Sequence, residues 1–287
     1  MCDILANPIE IAKEKIIGMT DAQRNVADYI IKNSLEVAFM TIEQLSRRVG
    51  TSTTTIMRLM TYLGYTGYAE FQKELRGLLR EKLNPKKKLE INLKEIDDSN
   101  IWTKCYEKQK ENMVNTFSMI SVDKLDETVE RIINARKIYF ASARGGRSVS
   151  QYLMSFFSRM IGNCYLIHTD MFTDWIDLLY DMNNQDLIIA ISYPRYASSM
   201  VNLLRLAKNN DVQIISITDS YSSPLNEFSS FILPCSCDSL GFHNSPITAM
   251  IIADCLINAI AVKYASKIEK RLDKADSIAT ELNYYDL

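Results

Sequence analysis

The chain has few of the residues that bind metal ions or form disulfide bonds. Its 287 residues include two histidines, His168 and His243, and six cysteines, none of them spaced as a CxxC pair. A structural zinc site needs four closely grouped nitrogen or sulfur ligands. We therefore predict no metal ion and no cofactor, and reduced cysteines of the kind found in the cytosol.

Long apolar segments are also lacking. No stretch of about 18 uninterrupted apolar residues is present, which predicts that the chain does not cross a membrane. The first residues, MCDILANPIEIAKEK, lack the basic start and apolar core of a secretory signal. We therefore expect a cytoplasmic protein. A length of 287 residues is sufficient for two domains, each with its own core.

A large net charge is absent as well. The 33 Lys and Arg residues are balanced by 35 Asp and Glu residues, which gives a net charge of −2. Small DNA-binding domains depend on a local basic face and on dimerisation, which doubles that face. The weak net charge therefore does not exclude DNA as a partner, but it predicts modest non-specific affinity.

Residues 41–65, TIEQLSRRVGTSTTTIMRLMTYLGY, have the pattern of two short helices separated by a tight turn. Thr41 is placed to cap the first helix in a capping box. Gly50 can end that helix because glycine reaches the left-handed conformation at little cost, and Ser52 can cap the second helix. This arrangement predicts a helix-turn-helix whose second helix enters the DNA major groove N-terminus first. The predicted buried stripe of the second helix is Ile56, Leu59, Met60 and Leu63.

The start of the second helix is rich in hydroxyl groups. Hydroxyls and free backbone N–H groups at a helix N-terminus suit phosphate oxygens, and arginine can bind guanine through two hydrogen bonds. We predict that this surface contacts a double-stranded DNA operator, which is palindromic if the protein is a symmetric dimer. The predicted DNA-binding residues are Thr41, Ser52, Thr53, Thr54, Thr55, Met57, Arg58 and Thr61.

The segment from Gly50 to Phe71, GTSTTTIMRLMTYLGYTGYAEF, resembles the N-terminal domain of the RpiR/MurR family of bacterial transcriptional regulators. The family pattern runs from a Gly and a Ser, through small residues and an Arg, to Leu-Gly-aromatic, Gly-Tyr and Glu-Phe. The chain departs from it at Thr61 and Tyr62, where the family often has basic residues. The matching residues are Ser52, Thr55, Ile56, Arg58, Leu63, Gly64, Tyr65, Gly67, Tyr68 and Phe71.

The pattern of apolar, polar and charged residues divides the chain into three parts. Five helices are expected in residues 4–83, so we predict a DNA-binding domain over 1–83. Polar and charged residues predict a linker over 84–100, and the remaining 101–287 form the second domain.

The second domain begins with a helical region and then alternates between strands and helices. Near-continuous apolar strands separated by helices indicate a parallel sheet covered on both faces. The predicted fold class is therefore α/β, with an all-α domain followed by a three-layer domain around a five-stranded parallel sheet. The predicted strands are 137–143, 164–167, 187–192, 213–218 and 231–234. A long helix over 246–268 is apolar on most sides, which predicts contact with a partner subunit in a homodimer or homotetramer.

Three polar loops of the second domain are candidates for a ligand site, because open α/β sheets bind ligands beyond the carboxyl ends of their strands. Glycines allow close approach of an anion, and arginine pairs with phosphate through two hydrogen bonds. The three arginines near two helix starts favour an anionic ligand. The predicted effector-binding residues are Arg144, Gly145, Gly146, Arg147, Ser148, Ser192, Arg195, Tyr196, Ser198, His243, Asn244 and Ser245.

The same loops resemble the SIS (sugar isomerase) domain that follows the DNA-binding domain in the RpiR/MurR family. IYFASARGGRS is similar to the first SIS motif, and the segment from Asp186 to Leu225 is similar to the second. Only Ser192 of the usual Ser-x-Ser-Gly-x-Thr loop is present, and a Pro-Arg-Tyr sequence follows it. The resemblance implies that the effector is a phosphorylated sugar.

Two functions follow from these features. The first is a transcriptional regulator without catalytic residues, which binds DNA and senses a small anionic metabolite. The alternative is a sugar-phosphate isomerase with an appended helical domain. Isomerisation needs a base near the substrate, and Asp238 and His243 are the candidates near the loops.

Overall fold

The computed structural model describes residues 7–82, 84–95, 98–171 and 173–284. It divides into two compact units, Met1–Lys94 with Ser222–Pro224, and Glu95–Tyr221 with Leu225–Leu287. The division falls inside the segment predicted as a linker, and the domain limits of 83 and 100 stay a prediction. Parts of the predictions that concern residues 1–6, 83, 96, 97, 172 and 285–287 lie outside the described residues.

The described part of the first unit is helical. Among the described residues, six α-helices precede residue 83, one more than predicted, because the one-turn helix Ser34–Val37 follows α2 directly. The helices are α1 (Pro8–Glu14), α2 (Asp21–Lys32), α3 (Ser34–Val37), α4 (Ile42–Val49), α5 (Thr53–Leu63), α6 (Tyr68–Lys82) and α7 (Pro85–Glu95).

The core of the first unit forms where α2, α4 and α6 pack against one side of α5. Ile56, Leu59 and Met60 of α5 are fully buried, and Leu63 is nearly so, which confirms the predicted stripe. The opposite side of α5 therefore remains available to a partner.

Helix α7 lies within the predicted linker, so that segment is more regular than its polarity suggested. Pro85 occupies the first helical position, where its missing N–H costs nothing. The Asn84 side chain accepts a hydrogen bond from the Lys86 backbone N–H at 2.9 Å, and Lys86 lies 3.8 Å from Glu90 one turn later. Local capping and charge pairing thus account for a helix that has little apolar surface to bury.

The second unit alternates strands and helices after an initial helical pair. Its strands are β1 (Ile138–Ser142), β2 (Cys164–His168), β3 (Leu187–Ile191), β4 (Gln213–Thr218) and β5 (Phe231–Pro234). Its helices are α8 (Ile101–Met119), α9 (Val122–Asn134), α10 (Arg147–Met160), α11 (Thr173–Asp181), α12 (Ser198–Asn209), α13 (Ile247–Lys263) and α14 (Ala265–Glu281).

The five strands form one parallel sheet in the order β2-β1-β3-β4-β5, which confirms the predicted three-layer α/β architecture. One face of the sheet packs against α9, α10 and α13, and the other against α11 and α12. Strands β1 and β3 are fully buried, as expected for central strands covered on both faces. Helix α11 was not predicted from the sequence.

The prediction of a single helix over 246–268 is wrong for its last five residues. The helix ends at Lys263, and α14 continues at an angle of 100° to α13. Tyr264 has φ −123° and ψ 28°, outside the helical region, and its hydroxyl donates to Glu130 of α9. The bend accompanies this contact and the burial of Ile268. No single helix in the described part of the chain is long and apolar enough to cross a membrane.

Candidate DNA interface and effector site

The turn between α4 and α5 is fixed by local hydrogen bonds. Thr41 and Gln44 form a capping box, with the Thr41 N–H 2.6 Å from Gln44 Oε1 and the Gln44 N–H 3.3 Å from Thr41 Oγ1. Gly50 ends α4 in the left-handed region at φ 69°, and the Thr51 N–H donates to the Ser46 carbonyl at 3.0 Å. The two helices therefore meet at a geometry set by these few residues.

The N-terminus of α5 presents a row of hydroxyl groups. Ser52 caps the helix by accepting the Thr55 N–H at 3.1 Å, and the two hydroxyls lie 2.9 Å apart. The structure places every predicted DNA-binding residue at least partly on the surface, although their role in binding stays a prediction. The exposed ones are Thr41, Ser52, Thr54, Met57, Arg58 and Thr61, and the half-buried ones are Thr53 and Thr55.

Tyr62, near the C-terminal end of α5, contacts Lys15 and does not extend the row of hydroxyl groups. Its hydroxyl donates to the Lys15 carbonyl at 3.3 Å. The Lys15 ammonium lies 5.8 Å from the Tyr62 ring centre and donates to the carbonyl of Leu63 at 3.3 Å. Lys15 thus supplies a cation at the C-terminus of the helix, where the dipole favours it. It is 47 residues from Tyr62, so no local pattern could reveal it.

The first two predicted effector loops follow β1 and β3, the neighbouring strands between which the strand order of the sheet reverses. Strands β1 and β3 are neighbours with Ser142 opposite Ile191. The chain leaves β1 toward α10 on one face and leaves β3 toward α12 on the other. Such a divergence opens a crevice at the carboxyl ends of the strands, which is the usual ligand position in this architecture.

Gly146 brings the first loop against the end of β3. A Cβ atom at this position would lie 2.8 Å from the Ile191 carbonyl oxygen and 3.0 Å from its Cγ2 atom. Gly145 next to it has no atom within 4 Å of the equivalent position. The glycine pair therefore has unequal roles: Gly146 is required for the close approach, and Gly145 is not.

The third loop joins the second through its side chains. Asn244 Nδ2 donates to the Pro194 carbonyl at 3.0 Å. Ser245 is buried, and its Oγ atom donates to Gln109 of α8 at 2.9 Å. His243 lies beside them on the surface. The three predicted loops are thus brought together as expected, and α8 supports the third one.

The three arginines of these loops differ in their surroundings. Arg147 forms an ion pair with Asp170, which follows β2, and this hydrogen bond lowers the pKa of the Asp170 carboxyl. Arg144 and Arg195 are exposed, and neither has a carboxylate partner among the described residues. Both adopt left-handed backbone conformations, with φ 53° and 70°, which cost about 1–3 kcal/mol each.

Asp219 lies at the same edge of the sheet and was not among the residues predicted from the sequence. It follows β4 and accepts hydrogen bonds from Tyr196 at 2.6 Å, Thr218 at 3.1 Å and Ser220 at 3.0 Å. Burial raises the pKa of its carboxyl, and the three hydroxyl donors oppose that shift. Asp219 thereby anchors the second loop through Tyr196. Its position directly after an apolar strand was the available signal.

Comparison with protein families gives one match in the helical first unit and one in the second unit, which contains the parallel sheet. The family described as "Helix-turn-helix domain, rpiR family" matches residues 6–82, and the SIS domain family matches residues 131–259. Together these matches span well over half of the chain. The chain belongs to the RpiR family of transcriptional regulators.

Two curated relatives are similar to this chain over most of its length. An HTH-type transcriptional regulator of Thermotoga maritima is 24% identical over 285 residues, covering 96% of this chain and 99% of the relative. One of Clostridium perfringens is 22% identical, covering 91% and 95%. Membership in the family makes this protein a DNA-binding transcriptional regulator.

Two solved structures share the fold. The Vibrio vulnificus NanR protein, solved in complex with ManNAc-6P, has a TM-score of 0.64 at 22% identity and covers 96% of this chain and 99% of its own. The sugar isomerase domain of an RpiR transcription factor from Sphaerobacter thermophilus has a TM-score of 0.57 at 19% identity. It covers 62% of this chain and 99% of its own.

The glycine pair of this RpiR family member gives a matched test of the loop geometry. Gly146→Ala is expected to lower the free energy of unfolding by about 1–3 kcal/mol, because the new methyl group overlaps the Ile191 carbonyl. Gly145→Ala should stay within about 0.5 kcal/mol of the wild type, since its methyl group meets open space. Urea denaturation of both variants measures the difference, and equal stabilities would contradict the proposed contact.

Proposed function

We propose that this regulator binds operator DNA through α5 and alters that binding when a phosphorylated sugar or related small anionic metabolite occupies the crevice between β1 and β3. The observation that carries the effector half is the pair of arginines, Arg144 and Arg195, which lie after neighbouring strands and have no carboxylate partner in the described part of the chain. Guanidinium groups favour phosphate oxygens through paired, charge-assisted hydrogen bonds. The sugar phosphate bound in the similarly folded NanR structure supports the same ligand class.

The DNA half of the proposal assigns sequence reading to the exposed side of α5. Arg58, Met57 and Thr54 lie on that side, and the hydroxyls at the helix start face outward with the free N–H groups of the first turn. Phosphate contacts position a protein on DNA, and base contacts give specificity. We propose that Ser52 and Thr41 contact DNA phosphates and that Arg58 contacts the edge of a base.

Substitution of Arg58 tests this assignment. Arg58→Ala is expected to weaken binding to the promoter fragment that the wild-type protein protects by about 1–3 kcal/mol, with a smaller effect on non-specific DNA. Arg24→Ala is the matched control, because Arg24 is exposed on α2, which packs against the buried side of α5. Fluorescence anisotropy at fixed moderate salt measures both. An unchanged operator affinity for Arg58→Ala would reject the assignment.

We further infer that the protein acts as a symmetric oligomer on a palindromic site. Helix α13 is apolar on most sides. Two of its apolar side chains are exposed to solvent, Ile247 by 44% and Val262 by 80%. A partner subunit that covers this helix supports a dimer or tetramer. Two recognition helices separated by one turn of DNA, roughly 34 Å, then require a two-fold operator.

Catalysis is not part of the proposal. Asp238 and His243, the candidate bases for an isomerase, are both exposed, and Asn112 holds Asp238 through its backbone carbonyl at 2.8 Å. Neither side chain lies in a buried, water-excluded pocket of the kind that adjusts the pKa of a catalytic acid or base. These positions support a sensor, and the cytoplasmic location stays a prediction.

The effector half is tested by ligand-induced stabilisation. A phosphorylated sugar that binds the crevice raises the unfolding temperature in proportion to its occupancy. Arg195→Gln is expected to remove the shift produced by a panel of hexose and hexosamine phosphates. Arg205→Gln, an exposed arginine later in α12, should keep it. A full shift in the Arg195 variant would move the ligand elsewhere.

A further inference from the structure

The C-terminal helix α14 is anchored to its own unit through its first two turns. Ile268 is buried, and Arg271 donates to the backbone carbonyls of Ser158 and Arg159 at the end of α10, at 3.0 and 3.3 Å. Among the described residues that follow Arg271, from 272 to 284, none is buried. The rest of α14 therefore lies at the surface of the unit that anchors it.

This exposed part of α14 is amphipathic. Leu272 is 40% exposed and Leu282 is 71% exposed, although both lie on one side of the helix. Starting from Ile268, the apolar positions recur at alternating intervals of four and three residues, which is the spacing of a coiled-coil seam. We call the exposed positions of this row the α14 seam, which consists of Leu272, Ala275, Ala279 and Leu282.

A helix of this kind requires a partner. Isolated helices shorter than about 12–15 residues are marginal in water, and packing of an apolar side supplies most of the stability of a short helix. Residues 272–281 are the part of α14 without a buried side chain. The α14 seam is thus the surface through which a partner would hold these turns in place.

The α14 seam is symmetric about the level of Ser277. Leu272 and Leu282 lie five residues before and after Ser277, and Ala275 and Ala279 lie two residues before and after it. A second α14 that runs antiparallel about a two-fold axis places leucine on leucine and alanine on alanine, as an isologous interface requires. The central alanines let the helix axes approach to about 8 Å.

The side chains beside the seam fit the same arrangement. In the antiparallel pair Lys274 lies near Glu281 of the partner subunit, and the two-fold axis makes this contact twice. Ile278, which is 49% exposed, meets its own copy near the axis. Asp276 faces its own copy on the other edge, where exposure to solvent keeps the repulsion small. Flanking charges of this kind select the orientation of paired helices.

A parallel pair of α14 helices fits less well. The seam continues at its N-terminal end into Ile268, which packs within its own unit. A parallel partner would bring a second unit to that same end of the helix pair. The antiparallel pair places the two units at opposite ends, so each Ile268 keeps its own contacts.

We propose that the α14 seam is an interface with a second copy of this chain, in which two α14 helices pack antiparallel about a two-fold axis near Ser277. The two family matches end at residues 82 and 259, so neither includes α14. The inference goes beyond the proposed function, which uses α13 as the subunit contact. Two different two-fold interfaces on one chain assemble a tetramer.

Sedimentation equilibrium of the full-length protein tests the interface. The wild type is expected to form a tetramer. Ala279→Glu is expected to raise the dissociation constant between dimers ten-fold or more, because its carboxylate would be buried against Ala275 of the partner subunit. Ser277→Glu is the matched control, since Ser277 is exposed on the opposite side of the same helix, and this variant should remain a tetramer.

Cysteine cross-linking tests the orientation of the two helices. Leu272→Cys and Leu282→Cys are each oxidised alone and then as a mixture that has exchanged subunits, with the wild type as the background for its own six cysteines. The mixture is expected to form a disulfide-linked dimer, and each variant alone is expected to stay at the background. A cross-link that forms in either variant alone would overturn the antiparallel pairing.

The remaining results separate this inference from the proposed function. Equal masses for the wild type, Ala279→Glu and Ser277→Glu, all dimeric, would overturn the α14 interface and leave the proposed symmetric dimer intact. A lower unfolding temperature in Ala279→Glu with an unchanged assembly would place the seam against another part of the same chain, which also overturns the inference. A monomeric wild type would count against both proposals.

Discussion

The contact between the loop after β1 and the end of β3 is the constraint on which the sensing half of this regulator depends. Gly146 lies so close to the Ile191 carbonyl that no side chain fits. From that contact the chain diverges to α10 on one face and α12 on the other. The divergence creates the crevice and places Arg144 and Arg195 on its two sides.

The DNA-binding half is built on a different kind of constraint, which is local and short in sequence. A capping box at Thr41, a left-handed glycine at Gly50 and a serine cap at Ser52 set the angle between α4 and α5. Burial of one side of α5 then leaves Arg58 and its neighbours outward. A fixed recognition helix transmits a change in subunit arrangement, whereas a mobile one would absorb it. Coupling between the halves requires that the ligand bind one arrangement more tightly than the other.

Local features were predictable from the sequence, and contacts between distant segments were not. The turn of α4 and α5, the buried stripe of α5 and the parallel strands follow from caps and periodicity. The interactions of Lys15 with Tyr62 and of Tyr196 with Asp219 join residues 47 and 23 positions apart, which no periodicity encodes. The bend at Tyr264 was missed because residues 264–268 contain no glycine or proline to mark the end of a helix. The left-handed backbone conformations of Arg144 and Arg195 could not be predicted from the sequence, because arginine rarely adopts a positive φ.

The central claim is that occupancy of the β1–β3 crevice changes DNA binding. The most direct measurement is the affinity of the full-length protein for its own promoter fragment, at fixed salt, with and without a saturating concentration of the tightest-binding sugar phosphate. The account predicts a change of about 5-fold to 150-fold, the usual range of allosteric coupling, and no such change in Arg195→Asn. The same operator affinity in the presence and absence of bound ligand would contradict it.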